Sequence, residues 1–385
     1  MRIAFYAPMK PPDAPNPSGD RRMARLLIAA LGHAGHDVTL ASRFRVWQGA
    51  PDEARQRRLG ALGARLGARL AARWWAAPAA SRPELWLSYP VHYKAPDWIG
   101  PAVSRALGIP YVIAEASHAP KRAGGPWAVG HEAAAHAIHA ADAIIGPNPV
   151  DAACVTPLLR DGVRWTALPP FVETAPLADT ATQRARHRRA LCAAHGIDPA
   201  SPVLLAVAMM RPGDKLKSYR VLAAAMARLD DRPWTLVIAG DGVARAEVEA
   251  LFTALPAARV RWLGERAPDA LAALYAAADI LVWPAINEAY GMAILEAQAA
   301  GLAVIAGRSG GVAGIVRDGK TGLLTPAGDD VAFAAAVAEL LGDAAGRQAM
   351  GETASATAAR DHSLDMAAAM LDAALRAVAA KRRAA

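Results

Sequence analysis

The sequence predicts an α/β protein built from two doubly wound, Rossmann-like domains. Three observations carry this reading. The chain has 385 residues, too many for one ordinary core, so two or three domains are expected. Short β-branched or aromatic runs alternate throughout with longer Ala- and Leu-rich stretches of helical character. Strand runs apolar on both faces, with helices between them, make parallel sheets covered on both sides. The alternation breaks at Leu168-Pro-Pro170 and in the polar stretch that follows, which divides the chain into two similar halves.

In the first half the predicted strands are residues 3–7, 38–41, 85–89, 111–116, 143–146 and 165–168. Helices are expected between them, among them 21–32 and 97–107, the latter interrupted by Gly100-Pro101. The second half supplies strands at 203–209, 235–239, 260–263, 280–284, 303–306 and 322–324. The expected organisation is a first domain over 1–172, a linker with a basic helix over 173–200, and a second domain over 201–360. A final helical segment within 361–385 is expected to pack back on the first domain. Two such units facing each other leave a central cleft at the C-terminal ends of their strands, where ligands of this architecture bind.

Composition narrows the function classes. With 54% apolar and 20% charged residues the chain reads as soluble and globular. A net charge of +8 suits nucleic acid, an anionic membrane surface or a phosphorylated ligand. Zinc-ligand spacings and basic tracts interleaved with aromatics are both absent, so no nucleic-acid partner is expected. Two cysteines, Cys154 and Cys192, make no disulfide framework and point to a reducing compartment. The first residues start a strand and lack the shape of a signal peptide. No window reaches about 18 uninterrupted apolar residues. A cytoplasmic protein is expected, with peripheral attachment to a membrane left open.

The richest stretch is 287–296, Asn-Glu-Ala-Tyr-Gly-Met-Ala-Ile-Leu-Glu. It follows the strand at 280–284 and sets Glu288 at the rim of a turn, Gly291 where a helix begins, and Glu296 inside that helix. A strand that turns into a helix offers open backbone N–H groups and the positive end of a helix dipole to a phosphate. Amides over Ala289, Tyr290, Gly291 and Met292 would supply that contact. Carboxylates accept hydrogen bonds, so Glu288 and Glu296 suit hydroxyl groups. A ligand with a diphosphate and several hydroxyls is a nucleotide-sugar. The same pair read as glycosidase carboxyls is weaker, since those flank the scissile bond from separate elements.

Earlier in the same domain, 208–219 runs from a strand through Pro212-Gly213 toward a helix capped by Ser218. Arg211, Lys215 and Lys217 cluster there, suited to clamp a diphosphate and stabilise a departing nucleotide. By itself this is a solvated basic turn; beside Glu288 it becomes an anion site. Gly240-Asp241-Gly242 follows a strand, but Arg245 holds the third glycine position of a dinucleotide fingerprint, so that motif fails. Gly240 is expected to let the backbone approach a ligand closely.

In the first domain the Pro-rich loop 8–20 carries Gly19 before a helix and is expected to border the cleft, or else to be a surface loop. Glu115 and His118 follow the strand at 111–114. Either can hydrogen-bond an incoming sugar or serve as acid or base, though a lone histidine is more often structural. The segment beginning at Arg55 and ending at Trp75 carries six arginines among Leu59, Leu62, Leu66 and Leu70. It is either an amphipathic helix packed on its own domain or a peripheral contact with an anionic membrane.

With these residues assembled, the chain resembles the retaining GT-B glycosyltransferases of family 4, the glycosyl transferases group 1, most strongly over 203–329. Glu288 and Glu296 match that family's two glutamates, Arg211 its phosphate-contacting arginine, and either Lys215 or Lys217 its lysine. Gly240-Asp-Gly242, Trp262-Leu-Gly264 and Ser309-Gly-Gly311 fall in the family's order, and the first domain matches through Gly19, Gly35-His36 and the region of His118. The chain departs at Ala289-Tyr290, usually Gly-Phe, at Ala303, often proline, at Gly314, often glutamate, and at Leu168-Pro-Pro-Phe171, where an Asn-Gly is usual. The resemblance implies a GT-B fold and transfer from a nucleotide diphosphate sugar, with retention at the anomeric carbon, to a glycan, glycolipid or small-molecule acceptor. It implies no cofactor and no essential metal, in keeping with the absence of any Asp-x-Asp motif. Glu288 would orient the transferred sugar, Glu296 the ribose, and the leaving phosphate would take the acceptor's proton. Gly264 is counted with the donor site, and Gly19 and Glu115 with the acceptor. The rival readings are an epimerase or hydrolase acting on the same bond, and a non-catalytic nucleotide-sugar-binding partner.

Overall fold

The computed structural model describes residues 1–15, 18–147, 149–229 and 231–384. The chain divides into two compact units, residues 1–169 with 364–385, and residues 170–363. In the first, strands β1 (Arg2–Tyr6), β2 (Asp37–Ser42), β3 (Leu85–Ser88), β4 (Tyr111–Ala114), β5 (Ala143–Gly146) and β6 (Trp165–Ala167) are interleaved with helices. Those helices are α1 (Gly19–His33), α2 (Glu53–Ala76), α3 (Gly100–Leu107), α4 (Ala128–Ala140) and α5 (Pro149–Val155). Gly100-Pro101 begins α3 where an interruption was expected, because proline lacks only an N–H that a first turn leaves unbonded anyway. The buried Asp97 carboxylate accepts from the amides of Ile99 and Gly100 at 2.8 Å and organises that start.

The second unit opens with α6 (Thr174–Ala181) and α7 (Arg184–His195). Strands β7 (Val203–Val207), β8 (Thr235–Ala239), β9 (Val260–Gly264), β10 (Ile280–Trp283), β11 (Ala303–Gly307) and β12 (Leu323–Thr325) follow. Their helices are α8 (Asp214–Ala227), α9 (Arg245–Leu251), α10 (Pro268–Ala277), α11 (Met292–Ala299), α12 (Val312–Ile315), α13 (Asp330–Gly342) and α14 (Ala344–Asp361). The last helix, α15 (Leu364–Ala384), belongs to the first unit, where it packs on α1. His33 and His36 meet Asp365 and Asp372 of α15, each at 3.1 Å. Residues 173–200 are more than a linker. Arg184 and Arg188 of α7 bind Asp279 and the carbonyls of Ala276 and Ala277, capping the end of α10.

Both sheets are parallel and six-stranded, ordered β2-β1-β3-β4-β5-β6 and β12-β11-β10-β7-β8-β9. The order reverses between β1 and β3 in one and between β7 and β10 in the other. At such a switch point neighbouring strands send their loops apart, leaving a crevice for a ligand at the carboxyl ends. The central strands are buried almost throughout, with Val203–Val207, Thr235–Ala239 and Ile280–Trp283 forming the core of the second unit.

Helix α2 buries only part of its expected leucine face, with Leu70 in the core and Leu66 packed against it. Its buried residues are Gln56, Gly63, Gly67, Leu70, Ala71 and Trp74, while Leu62 is exposed. The glycines decide this: a Cβ on Gly63 would lie 2.4 Å from the Cβ of Trp98, so α2 closes on the segment before α3 along its glycine edge. Trp75 donates from its indole to the Ala106 carbonyl at 3.1 Å. These contacts fit a helix packed on its own unit. Among the described residues no helix is long and apolar enough to cross a membrane.

Candidate functional site

The loops after β7 and β10 meet at the second unit's switch point. Gly213, at φ 85°, turns the chain so that α8 starts at Asp214. Ser218, expected to cap this helix, lies one turn inside it. That register aims Lys215 and Lys217 differently. Lys215 forms an ion pair with Glu288, both half-buried, and lies over the Trp283 ring at 5.2 Å. Lys217 is exposed and pairs with Asp214 at 2.9 Å. The Trp283 indole also donates to Glu288, at 3.3 Å. Arg211 is exposed at the head of this turn, and among the described residues its side chain has no ion-pair partner.

The loop that carries Glu288 is strained and tethered. Ala285 and Asn287 have φ of 52° and 50°, a left-handed conformation that L-residues adopt at a cost. The Ile286 amide donates to Ser218 Oγ at 3.0 Å, and the Asn287 amide group donates to Asp214 at 2.9 Å. Asn287 and Lys217 hold the Asp214 carboxyl below its ordinary range. Gly291, at φ 67°, starts α11, and its carbonyl accepts from Ile294 and Leu295. The amides of Met292 and Ala293 lie in the first turn and have no helix carbonyl to bond. Ala289 is exposed and Tyr290 half-buried on the approach to this turn. Gly310 and Gly311 press against it, since a Cβ on either would lie 2.2 and 2.1 Å from the carbonyls of Glu288 and Ala289.

Glu296 is 2% exposed on α11 and accepts from the Tyr275 hydroxyl at 2.9 Å. The Gly-Asp-Gly turn after β8 is explained by packing. A Cβ on Gly240 would lie 1.8 Å from the Ala208 carbonyl, so the close approach expected for a ligand is made by the chain itself. Asp241 accepts from the Gly242 amide at 2.7 Å and pairs with Arg245 at 2.9 Å. Gly264 accepts from the Gly240 amide at 2.8 Å.

In the first unit, the loops after β1, β3 and β4 carry the polar groups. Gly19 opens α1, and Asp20 in its first turn pairs with Lys10. Residues 16 and 17 of this loop lie outside the described residues. Glu115 follows β4 with φ 62°, and the Val91 amide bonds its carbonyl at 2.9 Å. His118 stacks on His131, ring centroids 4.6 Å apart, and burial followed by its neighbour's charge pushes its pKa down. The sequence reading missed His92, in the β3 loop. Burial drives its pKa down to about 4, so it is neutral, and its Nδ1 accepts from the Lys94 amide at 3.1 Å. The available signal was a histidine close behind the apolar strand run at 85–89.

Residues 201–343 match the family model of glycosyl transferases group 1. The chain is 38% identical over 195 residues to a D-inositol 3-phosphate glycosyltransferase of Corynebacterium urealyticum, covering 48% of this chain and 44% of that protein. A protein of the same description from Corynebacterium glutamicum is 47% identical over 96 residues, 25% of this chain and 23% of its own length. The chain thus spans less than half the length of these curated relatives. Among solved structures, sucrose-phosphate synthase from Thermosynechococcus elongatus superposes with a TM-score of 0.75 at 19% identity over 99% of both chains. Anabaena HepE, solved in complex with UDP-glucose, gives 0.70 at 18% identity over 98% of this chain and 100% of that one. At these identities the likeness is one of fold. The two α/β units are those of the GT-B class.

Proposed function

We propose that the chain is a glycosyltransferase that moves a sugar from a nucleotide diphosphate donor, UDP- or GDP-linked, to a hydroxyl acceptor with retention at the anomeric carbon. The observation that carries this is the meeting of Lys215 and Glu288 at a switch point, beside the open amides that begin α11. The family match over 201–343 covers the same elements, and one fold relative was solved with UDP-glucose.

The donor's diphosphate is assigned to Arg211, Lys215 and the amides of Met292 and Ala293, which together compensate its charge without an essential metal. Glu288 accepts from hydroxyls of the transferred sugar, and Glu296, fixed by Tyr275, from those of the ribose. The bond between the anomeric carbon and the phosphate oxygen breaks, with the electron pair leaving on the phosphate. The acceptor oxygen bonds to the same face of that carbon, and its proton passes to the departing phosphate. Arg211 and Lys215 stabilise the charge that develops there. The acceptor is assigned to the first unit, with His118 and Glu115 as its hydrogen-bonding groups.

A thermal-shift screen against UDP, GDP and ADP and their sugars tests the donor, because a ligand bound only by the native state raises its midpoint. Glu296→Ala is expected to weaken nucleotide binding by about 1.5–3 kcal/mol. Equal sugar release with and without an acceptor would replace transfer by hydrolysis, and an inverted product would remove retention.

A further inference from the structure

Helix α2 turns its glycine edge to the rest of the first unit and leaves the opposite face in solvent. That outer face is of one sign. At 3.6 residues per turn, Arg55, Arg58, Arg65, Arg69 and Arg73 fall within an arc of about 80°, and all five are exposed. Glu53 is the one carboxylate in α2, and it lies on another side of the helix, taken by Arg57 at 2.7 Å. Among the described residues none of the five arginines in the arc has an ion-pair partner. The Arg73 guanidinium lies 5.2 Å from the Trp74 ring, which leaves its charge uncompensated.

A row of charges on a helix is usually just solvated, so a partner needs further signs. Two are present. Arg55 and Arg58, Arg65 and Arg69, and Arg69 and Arg73 stand three or four residues apart, where like charges repel. Surfaces that meet only water mix the two signs. The second sign is Leu62, 49% exposed inside the same arc, one turn from Arg58 on one side and from Arg65 on the other. Arginine carries its charge on a long apolar stem, so a leucine among arginines makes an apolar strip with a cationic fringe. Trp75 ends the helix on the flank of this face, 55% exposed, with the Arg82 guanidinium 5.2 Å from its ring.

We infer that the outer face of α2 docks the protein on an anionic lipid bilayer, with the arginines on headgroup phosphates and Leu62 entering the layer beneath them. The helix has 24 residues and so runs about 36 Å, a straight charged face that fits a planar surface. A nucleic acid would use the arginines but offers nothing to Leu62, and the arc holds no aromatic ring to stack on a base. A second copy of this chain, itself at +8, is repelled. The edge with Gly63, Gly67 and Leu70 is committed to the core, so α2 cannot roll its apolar side into the bilayer. Attachment is therefore mainly electrostatic and sensitive to salt. It does not depend on the transfer reaction proposed above.

The test is cosedimentation of the full chain with vesicles of phosphatidylcholine alone or of equal parts phosphatidylcholine and phosphatidylglycerol. Binding is expected to the mixed vesicles only. It should fall steeply between about 0.1 M and 1 M salt, as the screening length shortens from about 10 to 3 Å. An arginine near an anionic leaflet is worth about fivefold in partitioning, so Arg58→Gln, Arg65→Gln and Arg69→Gln together should weaken binding by about a hundredfold. Lysine at the same three positions should keep it, which separates lost charge from lost fold. Leu62→Ser should weaken binding by about threefold or more and leave the salt dependence unchanged. No binding to the mixed vesicles at about 0.1 M salt, binding indifferent to lipid charge, or full binding by the triple glutamine variant or by Leu62→Ser would overturn the inference. So would retention of double-stranded DNA, lost in the triple glutamine variant, by a protein that binds no vesicles.

Discussion

Ser218→Ala tests whether the strained loop before Glu288 is held in place for the donor. Ser218 is 1% exposed, donates to the Asp214 carbonyl at 2.9 Å and accepts from the Ile286 amide at 3.0 Å. Alanine removes that acceptor. A fully buried N–H left unbonded costs about 1–3 kcal/mol, but Ile286 is half-buried and water reaches it, which puts the cost near the lower end. Alanine regains roughly 0.5 kcal/mol of helix propensity. The net loss of global stability is therefore about 0.5 kcal/mol, whereas the loop itself loses the full tether of about 1 kcal/mol. Strain makes this loss consequential, because Ala285 and Asn287 in left-handed backbone cost about 1 kcal/mol each. The tethers from Ser218 and Asp214 return a similar amount, so without one of them relaxed loop conformations compete with the tethered one. Apparent donor affinity falls with the competent fraction, about fivefold for 1 kcal/mol. Urea unfolding and nucleotide calorimetry on the same variant separate the two effects. Weaker stability with unchanged nucleotide affinity would refute the positioning role, and coupling to Asn287→Ala in a double-mutant cycle should be positive.

Lys215→Met is expected to lower kcat/KM by about 10- to 100-fold, the worth of a charged hydrogen bond of 1.5–3 kcal/mol. Lys217→Met should change it by less than about fivefold, because an exposed pair contributes at most about 1 kcal/mol; equal effects would remove the distinction between them. Gly310→Ala puts a Cβ 2.2 Å from the Glu288 carbonyl at a φ of 46°, so the melting midpoint and donor affinity should both drop, and a protein of normal affinity would show that this loop does not shape the site. Stability should be complete above pH about 6.5, the unfolded histidine value, and fall as pH drops toward 4. His92, with its pKa near 4, is unprotonated in the fold where the unfolded chain takes up a proton. This amounts to at most about 3 kcal/mol, less any solvent screening of its partly exposed ring. His118, His36 and His362 shift in the same direction. A His92→Gln protein should show a flatter urea midpoint between pH 7 and 5, and an unchanged slope would discount the group.

The central strand runs could be read because strands in the middle of parallel sheets are buried on both faces, and such runs declare themselves in composition; the partly exposed edge strands β2 and β6 were legible from their place in the alternation with helices. Strand order could not be read, since periodicity says which faces are buried and not which strand lies beside which. That gap matters most at β7 and β10: 76 residues separate Leu204 from its partner Ile280, and only their pairing brings the Lys215 turn to Glu288. The choice between the two lysines turned on where α8 begins. A start capped by Ser218 would have favoured Lys217, but Gly213 at φ 85° caps the helix five residues earlier and swings Lys215 toward Glu288. The leucines of α2 gave only part of the docking face, since Leu70 and Leu66 pack on the core and Leu62 does not. Leucine spacing describes an apolar stripe, yet the face that docks is the one that allows the closest approach, and Gly63 and Gly67 decide it against Trp98 and Ile99. In each case a glycine, with no side chain of its own to pattern, determined which neighbouring side chains meet. Hence Glu288 and Glu296 stood out in the sequence, while Ser218, Asn287 and Gly310, which hold Glu288 in position, emerged only from the fold.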